Sequence, residues 1–561
     1  MRYCLRRASL GLVLSLWAGR VQAAWGPPLS DDEVFGPMQA ELDRSMARLK
    51  QDDFGPPYFL AYRLHEVRRY ELAASFGSVT QDGDDDYRAL YVEARFGGRE
   101  LDNTDLSYHG WQGFGGRSPQ ALRQQLWSLT DGAYKSALSG FLEKKAKRAT
   151  EFVPDVLDDF SVEPSTGYAS AQPFEEAERP ALRGLTERLS AVFSGYPFIY
   201  ESLASVQVRW GRRYLLTSEK TRLATAADAL PSVLRLSATT RADDGMRLDH
   251  QRLWAVRRPG ELPPEGELLE AARALAEELG RLRAAAVQEP TAAPAILDPE
   301  FTGVLFHEAL GHKLEGQRQR DPQQSQIFKD MAGKKVIPDF LSVIDDPTLS
   351  EFQGRPLGGY YEYDSEGVPA QRVVLVERGI LRSFLMSRWP VKGFPRSNGH
   401  GRADVSRHAS GRMANLIVEA HGAVPLAELT RRLMALARKA GKPYGFLLIG
   451  SSGGENPNYR DSAQTLEVRP RLVYRVDAKT GAKILMRGVK VVGTPLVFLN
   501  RILAAGDDQT AATGFVCGAE SGHVPVSQIT PSVLVSEVEL QRLPEDRART
   551  PILPSPIHEA P

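Results

Sequence analysis

Three side chains able to do chemistry together lie in the run FTGVLFHEALGHKLEG, residues 301–316: His307, Glu308 and His312. Two imidazoles and a carboxylate this close make most of a catalytic zinc site, which takes three protein ligands and keeps a fourth position open for water. The common zincin pattern H-E-x-x-H sets its two His at i and i+4 on one helix face. Here the spacing is i and i+5, which turns the second ring about 140° from the first on a regular helix. Either the helix is distorted near Gly311, or it ends there and His312 belongs to an irregular exit. Taken alone, the stretch is equally compatible with two histidines that pack or face solvent on a half-apolar helix.

A third ligand has to come from elsewhere, and the best thiolate candidate is Cys517. The chain has two cysteines, Cys4 and Cys517. The N-terminus reads as an export signal: Arg2, Arg6 and Arg7, a short apolar core over residues 8–19, and small residues around Ala23 and Ala24. Cleavage after Ala23 or Ala24 makes residues 1–24 a signal peptide and the mature chain an exported, periplasmic protein. Cys4 leaves with it, so no intramolecular disulfide remains possible. A lone thiol in an oxidising compartment is buried, reactive or metal-bound. Lysine plus arginine (70) equals aspartate plus glutamate (70), so no net field favours nucleic acid or an anionic membrane. No apolar run after the signal is long enough to expect a transmembrane anchor.

The elements that must position these residues fall into two parts. Helices are expected over 38–50, 118–147, 182–193 and 265–287, and strands over 58–67, 89–96 and several runs within 200–256 that look like antiparallel neighbours. His65, His109 and His250 in this part are isolated and read as structural. Residues 288–294, QEPTAAP, read as a linker, which divides the chain into an N-terminal α+β domain (25–290) and a C-terminal domain (291–543). After the helix bearing His307 come a short apolar run at 338–344, then a polar loop leading into a hairpin with Arg378-Gly379 at its turn. Residues 396–414 read as a long ordered loop, a common home for site residues. A helix over 426–440 precedes a C-terminal stretch dominated by β-like runs. The Pro-rich tail, 544–561, is expected to be disordered.

The chain resembles the TldD/PmbA metalloproteases in four pieces that occur in the family's order. They are GVLFHEALGHKLEG, YDSEGVPAQ with ERGIL, SNGHGRA with RMANL, and FVCGAESGHVPVSQITPSV. The resemblance covers residues 295–540 well and the N-terminal half only in general layout. It implies a two-domain α+β build whose C-terminal domain is β-rich and barrel-like and carries the metal-binding helix. It also implies Zn2+ held by His307, His312 and Cys517, with Glu308 as the general base. It further implies a peptidase acting on unfolded or extended peptides, working as a homodimer or as a heterodimer with a related subunit. Two departures bear on substrate and partner choice. The family is mostly cytoplasmic, and residues 451–460 and the stretch through Thr494, Pro495 and Leu496 differ from its typical Gly-rich version.

Softer candidates remain. His400 and Arg402 in the SNGHGRA loop, and Tyr360 beside Tyr361, are candidates to contact substrate or stabilise an oxyanion, against the plainer reading of a solvated loop. His408, His421 and His523 carry no assignment. Against the peptidase stand two other readings: a non-catalytic peptide-binding or assembly protein with a structural zinc, and a thiol enzyme using Cys517 with a nearby His.

Overall fold

The computed structural model describes residues 29–105, 110–113, 115–116, 118–150, 157–170, 178–227, 229–321, 324, 326–455, 465–543, 553 and 556. The expected signal, His109 and nearly all of the expected tail lie outside them. The fold is mixed α+β.

The N-terminal part is built on an eight-stranded sheet. Its spine is a long hairpin, Phe59–Ser75 with Ser78–Arg95, flanked by Glu201–Thr217. Alternation along these strands divides the sheet into two unlike faces. Leu60, Tyr62, Leu64 and Leu72, with Val206, Tyr214 and Leu216, turn towards the helices and are buried under them. Asp31–Arg48 and Pro119–Thr150 cover one half of that face, and Arg179–Ala191 and Glu265–Ala284 the other. The residues between them, including Arg63, His65, Arg209 and Arg213, turn the other way, towards the C-terminal part. The first helix starts at Asp31, well before the expected Met38: it runs straight through Pro37, and Ser30 and Glu33 close a capping box at its start.

The segment expected to be a linker is woven into the sheets instead. Ala286–Val287 pairs in parallel with Lys483–Arg487, Gln288 is buried, and Thr291–Leu297 is a stave of a closed barrel. Five strands close that barrel: Tyr444–Glu455, Thr291–Leu297, Val533–Arg542, Val489–Gly493 and Leu466–Asp477, the last pairing back onto the first. A second, six-stranded sheet ends in Leu341–Asp345, Asn415–Ala420, Gly522–Thr530 and, at its edge, Thr510–Ala519. The helix Pro299–Ala309 is clasped between barrel and sheet. Phe301, Leu305 and Phe306 share one core with Leu297, Phe446, Leu448, Val526 and Val535. An all-round apolar helix of this kind has no solvent face to offer and must be enclosed. The amphipathic helix Leu426–Lys439 covers the barrel from outside through Leu429 and Leu433.

The expected hairpin is present, Val373–Glu377 with Ile380–Leu381, and both turn residues, Arg378 and Gly379, have positive φ as its tight turn requires. The expected long loop carries only a minimal ladder, Gly401–Arg402 with Ser410–Gly411. Gly411 has no alternative: a Cβ there would lie 2.0 Å from the Leu385 carbonyl oxygen, a backbone atom that cannot swing aside. Gly411→Ala is therefore expected to lower stability by about 1–3 kcal/mol, the usual cost of forcing extra volume into a packed site, read as a fall in the thermal midpoint.

Candidate metal centre

The five-residue spacing is resolved by helix termination. The α-helix ends at Ala309, Leu310 takes φ −124 and ψ −53, and Gly311–Leu314 continues as a tighter 3-10 turn. That break cancels the misdirection of a regular helix: the two rings stand edge to face with centroids 4.8 Å apart. Gly311 is needed at the break, since a Cβ would sit 2.0 Å from Met413 Sδ. The space it leaves is filled by the Met413 side chain.

Cys517 arrives from the edge strand Thr510–Ala519. Its Sγ lies 3.1 Å from His307 Nε2 and 3.4 Å from His312 Nε2, and all three residues are buried. Their ligand atoms lie within 4.8 Å of one another. Zinc bonds of about 2.0–2.1 Å to nitrogen and about 2.3 Å to sulfur put neighbouring ligand atoms of a tetrahedron about 3.6 Å apart, so an ion would be seated by opening the two sulfur–nitrogen distances slightly and drawing the two ring nitrogens together. Two imidazoles and a thiolate suit zinc chemically, and both rings present the same nitrogen to the shared point. The residues fit the group.

A ring of buried charge holds them. Glu315 Oε1 lies 2.8 Å from His312 Nδ1, which fixes the ring with Nε2 turned towards the sulfur. Arg318 Nε donates to Glu315 Oε2 at 2.7 Å, and another of its nitrogens donates to Glu520 at 2.8 Å. Arg412, wholly buried, ties both sides together. It donates to the Cys517 carbonyl at 2.8 Å and reaches its sulfur at 3.1 Å, while its Nε stands 3.3 Å from Glu315. Burial opposes charge on every member, but the partners win. Cys517 is held well below the usual thiol range by His312, His307 and Arg412. His312 is raised well above the usual imidazole range by Cys517 and Glu315. Glu315 is held at about 2 by Arg318, His312 and Arg412.

Glu308 lies on the same helix turn. Burial pushes its carboxyl above the usual range, with His312 and His307 pulling the other way. The barrel strand Tyr444–Glu455 passes directly over it, because a Cβ on Gly454 would lie 3.0 Å from Glu308 Cγ. That strand is pinned to the start of the helix: Gly450 and Ser451 donate their backbone N–H to Asp298 and Glu300.

The remaining expected site residues lie elsewhere. His400 is fully buried, with Nε2 3.1 Å from Asp345 and Nδ1 3.0 Å from the Asn398 carbonyl, so both ring nitrogens have partners within the protein. Arg402 donates to the Met413 and Pro525 carbonyls, which fixes the loop, and it lies near enough to Cys517 and Arg412 to feel their charge. Tyr360, also a candidate for substrate contact, lines a cavity of about 1100 Å³ between the two parts of the chain, which the three clustered residues do not line. Sequence reasoning missed Glu315, Arg318 and Arg412. The signal for Glu315 was its place three residues after His312, where a turn brings the two together; nothing local marked Arg412.

The geometry agrees with what the chain is similar to. Residues 290–542 match the family described as PmbA/TldA metallopeptidase C-terminal domain. Over that stretch the chain is similar to the TldD/PmbA family. It is 31% identical over 240 residues to a metalloprotease of Archaeoglobus fulgidus, a match covering 43% of this chain and 51% of that one. It is 28% identical over 250 residues to the zinc metalloprotease TldD homolog of Saccharolobus solfataricus, covering 44% and 51%. The chain spans about half the length of the curated relatives it matches. In fold it is similar to TldE from Thermococcus kodakarensis, with a TM-score of 0.62 at 15% identity over 90% of this chain and 100% of that one.

Losing the carboxylate that orients His312 is expected to weaken metal binding. Glu315→Gln should lower zinc affinity about 10–100-fold, measured by competition with a chromogenic chelator.

Proposed function

We propose that this chain is a zinc-dependent peptidase that hydrolyses peptide bonds in extended, unstructured peptides. The observation that carries the reading is the convergence of His307 Nε2, His312 Nε2 and Cys517 Sγ beside the Glu308 carboxylate. Three protein ligands leave a position open, as catalytic rather than structural zinc sites do. When bound, the ion supplies Lewis acidity for a scissile carbonyl and makes a water acidic enough to attack at neutral pH.

The chain's own residues do the rest. Glu308, adjacent to the first ligand, takes the proton of the attacking water on a carboxylate oxygen and returns it to the leaving amine. Burial raises its pKa, which makes it a better proton acceptor than an exposed carboxylate. Glu315 and Arg412 keep the ligand atoms in place through the cycle. Among the described residues, the strand bearing Cys517 is hydrogen-bonded to the sheet along one side only, so an extended peptide has an edge to pair with. Main-chain pairing there would accept many sequences. We further propose export to the periplasm after signal cleavage, and assembly as a homodimer or with a related subunit.

The low Cys517 pKa beside a charged His312 also suits a cysteine nucleophile, which favours the thiol enzyme as the second reading. Glu308→Gln separates them. Under the peptidase reading it should lower cleavage of a quenched fluorescent peptide about 10²–10⁴-fold, the usual worth of a positioned general base, with zinc content unchanged. Full cleavage in that variant, or activity that survives metal stripping and falls only to a thiol alkylator, would reject it. Cys517→Ala should lose zinc as measured by elemental analysis of the purified protein.

A further inference from the structure

The N-terminal sheet turns an unusual face towards the C-terminal part. Residues alternating with its helix-facing set are mixed: Phe59, Ala61 and Leu215 join a small apolar cluster, while further along His65 on Phe59–Ser75 stands directly across from Arg213 on Glu201–Thr217, and Arg209 follows on the same strand. Arg209 and Arg213 are four residues apart on one extended strand, hence about 13 Å, with Gly211 between them. These residues form one wall of the 1100 Å³ cavity, and Tyr360, Tyr361 and Arg402 belong to the other. The described residues lining the cavity carry six arginines and four carboxylates. Three of the carboxylates have partners near at hand: Glu265 is held by Arg188, Glu362 accepts from Tyr168, and Asp404 accepts from Ser406 and the His523 backbone, while among the arginines Arg188 is thereby spent on Glu265 and Arg402 on the Met413 and Pro525 carbonyls. The field this leaves is felt by His65, whose pKa is held well below the usual range by burial and then by Arg213 and Arg63.

The cavity also has a fixed relation to the metal centre. Cys517 is registered opposite Val524, and Gly518 opposite His523. Side chains of paired residues share a face and successive ones alternate. The strand pair therefore turns Cys517 towards the core, while His523 and Pro525 turn to the opposite side, where both line the cavity. Val524, the residue paired with Cys517, lines the cavity as well, so the two sites share this strand pair.

We propose that this cavity is a binding site for acidic peptide segments, Arg209 and Arg213 taking carboxylates and its tyrosines the intervening side chains. The proposal rests on the peptidase reading only for the choice of a peptide as ligand. A site that engages acidic stretches would give the enzyme a preference that main-chain pairing at the catalytic edge cannot supply, because such pairing is blind to side chains.

Binding is measured without turnover, by fluorescence anisotropy of labelled peptides with the full-length, metal-free protein, so a failed peptidase reading leaves the test intact. The probe is an extended peptide with two glutamates four residues apart, compared with its Glu→Gln counterpart. The acidic peptide should bind about tenfold more tightly or better, and added salt should erode that difference. In the Arg209→Gln, Arg213→Gln double variant the preference should vanish, with zinc stoichiometry unchanged as the check that the fold is intact. Should that variant not fold, Arg209→Glu alone is expected to reverse the preference towards a lysine peptide. Equal affinity for the two peptides, or a preference that survives both variants, would overturn the proposal.

Discussion

Everything at the metal centre depends on the helix stopping at Ala309. One further regular turn would carry His312 round the axis, away from His307, and no choice of side chains elsewhere could restore the pair. The stop is not made by a proline or by the usual left-handed glycine. Leu310 leaves helical dihedrals while Gly311 gives way to Met413, so the break is imposed by packing as much as by local preference. The barrel and the six-stranded sheet close on the helix from either side, and the sheet carries the sulfur in from the far end of the chain. A ligand separated by about two hundred residues of sequence is thus as firmly placed as one on the same turn.

Around that geometry the protein buries a cluster of ions that a stability argument alone would not favour. Glu315, Arg318 and Arg412 are almost wholly enclosed, and buried ion pairs often do no better than apolar residues of the same volume. Their arrangement makes sense as positioning. Arg412 reaches the sulfur of one ligand and the carboxylate that orients another, so a shift of either ligand is felt by both. Opposing charges alternate through Cys517, Arg412, Glu315 and Arg318 to Glu520, which lets each burial be offset by its neighbours. A site preorganised in this way needs little rearrangement to take an ion of the right size.

The sequence exposed some of this and hid the rest for identifiable reasons. His307, Glu308 and His312 were conspicuous because they are local, and helix termination was one of the two outcomes their spacing allowed. Cys517 stood out by elimination and by resemblance. The hairpin at Arg378-Gly379 was legible because two successive positive-φ residues leave a local mark. Misreadings arose where tertiary context overrode composition. QEPTAAP has the residues of a linker but becomes barrel edge and barrel stave, because partners from residues 444–542 supply its hydrogen bonds. Pro37 looks like a boundary, yet the capping box at Ser30 starts the helix upstream of it. His400 and Arg402 sit in a loop that reads as solvated and prove to be its internal bracing, since Asp345, Met413 and Pro525 reach them from distant segments.

The same distinction explains the two faces of the N-terminal sheet. Period-2 alternation told which residues part company along a strand, but not that the side opposite the helices would meet another domain instead of water. Arginines there look like solvated surface in the sequence. In the fold they stand across a cavity from tyrosines of the C-terminal part, and that cavity reaches the strand paired with the one bearing Cys517. Charge kept at an internal boundary has a desolvation cost that water would otherwise remove. A row of it facing an open volume is therefore hard to explain as packing, whereas an anionic ligand entering that volume would turn the cost into a source of selectivity.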